Sequence, residues 1–134
     1  MIMTLVKDTR SFGVEWENYP YVQASKVGDT IYISGQISHD DTGAIVGVGD
    51  MAAQMRQAYK NIERLLSEYG ATFDDIVDEM TFVTDMEAAL ACTTEVRREA
   101  YGGDAVVTST LLKVAGLAFP ELMVEIKCTA RVGA

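Results

Sequence analysis

One carboxylate stands out by its setting. Leu122, Val124, Ile126, Cys128, Ala130 and Val132 alternate with Met123, Glu125, Lys127, Thr129 and Arg131, the period of a strand with one apolar and one mixed face. Glu125 lies on the mixed face, where an exposed strand carboxylate would pair with Lys127 or Arg131. Other chemistry-bearing residues are scarce. His39 is the single histidine, which leaves little material for zinc or for a Ser-His triad. It falls in a polar loop and is expected to be solvated, with a place at the rim of a substrate site as the other reading. Cys92 and Cys128 sit in different elements without CxxC spacing. They read as free thiols of a reducing, cytoplasmic compartment rather than as a disulfide or metal pair. Arg97-Arg98 reads as a solvated helix face.

The elements that must position these residues follow from periodicity. Tyr21 to Val27 and Asp29 to Ser34 are β-prone runs around Val27-Gly28-Asp29-Thr30, a hairpin turn. Ile31 and Ile33 face one way, and Thr30, Tyr32 and Ser34 the other. Asp40-Asp41-Thr42-Gly43 marks an exposed loop. Asp50 is the expected N-cap of a helix in which Met51, Met55, Ala58, Tyr59, Ile62, Leu65, Leu66 and Tyr69 recur at helical spacing, with Gly70 at its end. Its Met and Tyr members read as core, not as a cofactor box. Ile76 to Thr84 reads as a strand. Asp85 caps a second helix to about Tyr101, with Met86, Ala89, Leu90, Val96 and Ala100 as its buried stripe and Gly102-Gly103 as its stop. Val106 to Val114 is a further strand.

The totals bound the rest. The chain has 134 residues, enough for one domain over 1–134 with a sizeable core. Its 11 basic and 20 acidic residues give a net charge of −9, a field that repels phosphate backbones and anionic membranes. The apolar run Met1 to Val6 is too short for a signal peptide, and no stretch approaches the roughly 18–20 apolar residues of a spanning helix. Two helices separated by strands can cover one face of a mixed sheet, an α+β layer. The other face, with Glu125, Lys127, Thr129 and Ser34, is then either solvated or packed against copies of itself around polar pockets. Periodicity does not choose between these.

In order and spacing, several segments resemble the RidA/YjgF family of reactive-intermediate deaminases, over most of the chain from about Tyr21 to Val132. They are Tyr21-Val22-Gln23-Ala24; Val27-Gly28-Asp29-Thr30-Ile31-Tyr32-Ile33-Ser34-Gly35-Gln36; Gln54-Met55-Arg56-Gln57-Ala58 with Asn61; Thr81-Phe82-Val83-Thr84-Asp85-Met86; and Val114-Ala115-Gly116-Leu117 followed by Val124-Glu125-Ile126. The resemblance implies a chorismate-mutase-like fold, a homotrimer with sites between subunits, and hydrolysis of enamines or imines to a carbonyl compound and ammonia. It implies no cofactor and no metal.

Carried over by position, the resemblance makes Glu125 the residue that orients the attacking water and serves as acid or base. It makes Tyr21 a pocket wall, otherwise a sheet aromatic. It makes Gly35 the place where a backbone N–H meets a ligand carboxylate, otherwise a bulge or turn glycine. Ser34 is a pocket hydroxyl or only a strand end. The substrate-binding segment of β-prone residues holds Ser109, Thr110 and Leu111. Counting back from Val114-Ala115-Gly116-Leu117, Ser109 stands where many deaminating members carry a carboxylate-clamping arginine. Leu111 stands at the family's cysteine, with its backbone still able to hold a water. On the second helix the family's asparagine is replaced within Cys92-Thr93-Thr94. A serine hydroxyl for an arginine fork implies binding of short imino acids weaker by roughly 30-fold or more. It points to a larger or differently anchored substrate, or to Arg97 or Arg98 supplying the cation from across an interface.

Three functions remain in play. The first is an enzyme that deaminates an enamine or imine. The second is a non-catalytic trimer binding a small metabolite or a protein partner, favoured by Ser109 and opposed by Glu125. Ribonuclease activity, also attached to the family, sits poorly with a net charge of −9, no histidine pair and no basic aromatic patch.

Overall fold

The computed structural model describes residues 4–13 and 19–133. Its strands are β1 (Asp8–Arg10), β2 (Ala24–Val27), β3 (Thr30–Gln36), β4 (Ile76–Val83), β5 (Thr108–Lys113) and β6 (Val124–Arg131). They form one mixed sheet in the order β1-β2-β3-β6-β4-β5. Helices α1 (Met51–Ser67) and α2 (Met86–Tyr101) pack on one face of it, the expected α+β layer. β3 and β4 both run antiparallel to β6, and β5 runs parallel to β4. Parallel strands need long crossovers; α1 supplies the one from β3 to β4, and α2 the one from β4 to β5.

Local chemistry sets the element ends. The β2–β3 ladder closes at Val27 opposite Thr30, leaving Gly28 and Asp29 as the turn, and Gly28 takes φ 60°, a conformation glycine adopts without steric cost. Asp50 and Asp85 each accept a hydrogen bond from the backbone N–H three residues on, at 3.0 Å, so both helices start where the sequence places them. Gly102 at φ 73° stops α2.

The core is the face where the periods coincide. Ile31 and Ile33 of β3, with Val124, Ile126, Cys128 and Ala130 of β6, are buried under Met51, Met55, Ala58, Tyr59, Ile62, Leu65 and Leu66 of α1. Helix α2 contributes less, and its expected stripe needs correction. Ala89 and Val96 are buried, but Leu90 points outward at 63 % exposure. The strand expected from Tyr21 begins only at Ala24, because the Val22 carbonyl is taken by the Ser34 hydroxyl at 2.7 Å rather than by a ladder partner. Strand β1 carries no apolar alternation and gave no signal. Cys92 and Cys128 are both free. No helix among the described residues is long and apolar enough to cross a membrane.

Gln54 ties α1 to two connections. Fully buried, it donates to the Gly47 and Glu121 carbonyls at 3.1 and 2.9 Å and accepts from the Met123 N–H at 2.8 Å. Leucine has nearly the same size but none of these bonds, and would leave buried backbone groups unpaired. Gln54→Leu is expected to cost about 2–4 kcal/mol, read as a lower midpoint in chemical denaturation. A loss below about 0.5 kcal/mol would mean that water replaces all three bonds.

Candidate active site

The irregularity that shapes the site lies in β3. Ile33 pairs with Cys128, yet Gln36 pairs with Ile126, so Ser34 and Gly35 together oppose Lys127. Two residues against one is a β-bulge, which bends a strand and re-aims its groups. A polar lock holds it. The Ser34 N–H donates to the Gln23 carbonyl at 2.8 Å, and the Ser34 hydroxyl donates to the Val22 carbonyl. From below, the buried Gln36 amide donates to the Ser34 carbonyl at 3.0 Å and accepts from Gln23 at 3.5 Å. These bonds draw the segment carrying Tyr21 against the bulge.

Glu125 fills the space the bulge opens. On β6 it is paired with Phe82 of β4, on the face away from the helices, and it is half-buried. Its side chain lies across Gly35. A Cβ there would come within 2.5 Å of the Glu125 Cδ and Oε2, closer than real contacts allow. The glycine, expected as a bulge or turn residue, is therefore also the floor beneath the carboxylate. Glu125 makes no hydrogen bond with any described residue. Partial burial pushes its carboxyl up from the ordinary value, and nearby Lys127 offsets part of that. The Tyr21 phenol is also raised, by its own burial, then by Tyr19 and by the charge of Glu125, so it lies within electrostatic range of the carboxylate. A carboxyl nearer neutrality, with open lone pairs, can hold a water and pass a proton.

Tyr21, Ser34, Gly35 and Glu125 thus come together. Ser109, Thr110 and Leu111 do not join them within one chain. They lie on β5, at the sheet edge and separated from β6 by β4. Thr110 pairs with Met80 and shares the face of Glu125, but Ser109 pairs with Glu79 and Leu111 with Thr81, on the face covered by helices.

There Ser109 meets a carboxylate that sequence reasoning missed. Glu79 is wholly buried. Its Oε1 accepts from Arg97 Nε at 2.7 Å and the Ser109 hydroxyl at 3.0 Å, and its Oε2 from the Tyr59 and Tyr101 hydroxyls at 3.0 and 2.8 Å. Burial, reinforced by Glu79, pushes both phenols up, so they stay donors. Strict alternation through Ile76 to Thr84 would have sent Glu79 outward. A register shift between Ile76 and Asp78 turns it inward, and that shift has no signal in composition.

Two expectations about cations and loops change accordingly. Arg98 is solvated and paired with Asp104, as a helix face predicts, but Arg97 is drawn in by Glu79 to 30 % exposure. His39 is buried, not solvated. Its carbonyl accepts from Gln57 and Asn61 of α1 at 3.2 and 3.0 Å, which pins the loop to the helix. No group of three or more His, Cys, Asp or Glu able to hold a metal occurs among the described residues. Three surface cavities among the described residues, about 470 Å³ beside Asp40 and Asn61, about 260 Å³ between the helices at Tyr59 and Val96, and about 280 Å³ beside Tyr101 and Val106, are not lined by Glu125, which stands on an open sheet face.

Comparison with known proteins fits this geometry. Residues 16–132 match the family model described as Endoribonuclease L-PSP. A RutC family protein of Pyrococcus abyssi is 39% identical over 84 residues, covering 62% of this chain and 65% of the relative, under two thirds of its length. A 3-aminoacrylate deaminase RutC of Acinetobacter baylyi is 30% identical over 113 residues, covering 84% and 87%. Among solved structures, a YjgF/YER057c/UK114 family member from Mycobacterium tuberculosis superposes with a TM-score of 0.80 at 30% identity, over 95% of this chain and 100% of that one.

The contact between Gly35 and Glu125 is testable without any substrate. Gly35→Ala forces aside the carboxylate, the far end of a flexible side chain, and should cost up to about 1 kcal/mol. With Glu125→Ala the obstacle is gone, and the same substitution should cost under about 0.5 kcal/mol. Denaturant unfolding of the four proteins measures the coupling; additive losses would mean that the carboxylate swings aside freely or lies elsewhere.

Proposed function

We propose that this chain, which belongs to the YjgF/RidA (Endoribonuclease L-PSP) family, hydrolyses a reactive enamine or imine to a carbonyl compound and ammonia, with Glu125 as acid and base in a pocket closed by other copies of the chain. The observation that carries this reading is the Glu125 carboxylate. It is half-buried, raised in pKa, without a hydrogen bond to any described residue, and laid across Gly35. The name of the Acinetobacter baylyi relative, a deaminase of 3-aminoacrylate, supports the reaction class, since 3-aminoacrylate is an enamine.

The chemistry asks little of the protein. An imine carbon is already electrophilic, so binding it next to one oriented water removes most of the entropic barrier. The imine nitrogen arrives protonated from solvent, and Glu125 accepts a proton from that water as its oxygen adds to the iminium carbon, giving a neutral carbinolamine. The C–N bond then breaks as Glu125 returns its proton to the nitrogen. Ammonia leaves as the hydroxyl gives its proton to the re-ionised Glu125 and becomes the carbonyl, and Glu125 passes that proton to the ammonia or to solvent. An enamine enters the same sequence after protonation at carbon gives its imine. A carboxyl held above the ordinary range suits these proton transfers.

The open sheet face supports closure by further copies. Tyr32 and Leu112 stand 50 % and 42 % exposed there, with Phe82 opposite Leu112 and Glu125 in register. Ser109 favours a second reading, a trimer that binds a metabolite without turning it over, because it brings no cation of its own to a substrate.

Ammonia release from imines generated in situ separates the two. Glu125→Gln should leave the fold intact and lower turnover by roughly 10²–10⁴-fold. In the wild type, kcat/KM should fall with acid along a limb lying above the ordinary carboxylate range, because only the ionised form accepts the proton. Turnover unchanged in a folded Glu125→Gln protein removes the catalytic role. Light scattering coupled to size exclusion should give a trimer at micromolar concentration; a monomer mass would remove the shared pocket.

A further inference from the structure

Arg97 is held unlike the chain's other arginines. Arg10, Arg56, Arg64, Arg98 and Arg131 pair with carboxylates that are themselves exposed. Arg97 is fixed through Nε to Glu79, whose side chain is wholly buried, while its own keeps 30 % exposure. Its two terminal nitrogens make no hydrogen bond with any described residue. A guanidinium gripped by one edge presents the other in a set direction, so little rotamer freedom is left to lose when a ligand binds. Ser109 donates to the same Oε1, which puts strand β5 alongside. Among the described residues β5 pairs only with β4, so its other side is open to them.

From this geometry we propose that Arg97 anchors a carboxylate of the substrate at the β5 edge and presents it to Glu125 of a second copy of the chain. The proposal rests on the deaminase reading above. A planar monoanion matches the exposed edge of one guanidinium with two charge-assisted bonds. A phosphate dianion would need a second cation, and the next one, Arg98, is turned to Asp104; the net charge of −9 opposes it further. A second copy is required because Ser109 and Glu79 face the helices while Glu125 faces away. Within one chain β5 and β6 are also separated by β4, roughly 10 Å apart, beyond a small imine. The expectation drawn from Ser109 changes accordingly. The guanidinium absent from that position comes from α2, so short imino acids remain suitable substrates.

The informative variant is Arg97→Met combined with Glu79→Gln. It removes the cation together with its buried counter-charge; the amide oxygen accepts from Tyr59 and Tyr101, and the amide nitrogen donates to the Ser109 hydroxyl. Pyruvate, titrated into the wild type and followed by NMR at the Arg97 Nε–H, should give a saturable shift. In the double variant the β5 amide shifts should need at least about ten times more pyruvate. Equal titrations, or no shift at Arg97, overturn the anchor. The kcat/KM ratio of 2-iminopropionate to its neutral amide should fall about 30-fold in the double variant, and an unchanged ratio overturns it too. Mixing the double variant with Glu125→Gln should restore about a quarter of wild-type sites if each site draws on two copies; no recovery removes the second copy from the proposal. Pyruvate bound at Arg97 without turnover of either imine would instead leave the anchor standing and remove the deaminase reading. Turnover with an unshifted ratio does the reverse.

Discussion

A carboxylate cannot be taken out of water without replacements for the bonds it loses, and Glu79 is taken out completely. Its replacements come from three elements besides its own strand: Tyr59 from α1, Arg97 and Tyr101 from α2, and Ser109 from β5. Around them Phe73 closes an aromatic triangle, its ring 6.0 Å from Tyr59 and 5.2 Å from Tyr101. Each donor is useful only where the carboxylate is, so the position of both helices and of the edge strand is set against one point on β4. Apolar packing alone would tolerate sliding of α2, whose buried residues are few. Oriented hydrogen bonds to a buried charge do not tolerate it.

The two ends of the chemistry are placed by departures from regular sheet. The register shift in β4 turns Glu79 inward; the bulge in β3 brings Gly35 under Glu125. Both depend on the same property of strands, that one extra residue exchanges the faces. A sheet without them would expose Glu79 and crowd Glu125 with an ordinary side chain. Regular pairing builds the scaffold, and its interruptions carry the carboxylates.

That division also explains what the sequence discloses. Helix α1, the hairpin at Gly28 and the alternation in β6 follow from apolar periods and turn chemistry, and they appear in the structure as read. The place of Glu125 on the open face was legible because its strand alternates without interruption, while its proposed role came from the family resemblance alone. Glu79, the burial of Arg97 and the burial of His39 were not, since each results from tertiary hydrogen bonds that override a polar local pattern. For His39 those bonds come from Gln57 and Asn61, which reach the loop from one face of α1. Strand β1 is polar throughout and is held by pairing to β2, which no local period announces.

In the proposed shared site, a single chain leaves this arrangement half used. Glu125 stands on an open face with no hydrogen-bond partner among the described residues, and Arg97 stands at an open edge with two nitrogens unspent. Neither state is costly in water, because both groups keep enough exposure to remain hydrated. Both become selective once another surface closes over them, since in a drier pocket a charge that finds its partner gains and one that does not is penalised. In the proposed reaction, an imine with a carboxylate satisfies the guanidinium and offers its electrophilic carbon to the water on Glu125. A neutral imine leaves Arg97 unpaired and is disfavoured by that loss. On this reading, discrimination comes from what is left unsatisfied as much as from what is bound, and Glu79 contributes by holding the cation where a mismatch cannot be escaped by rotation.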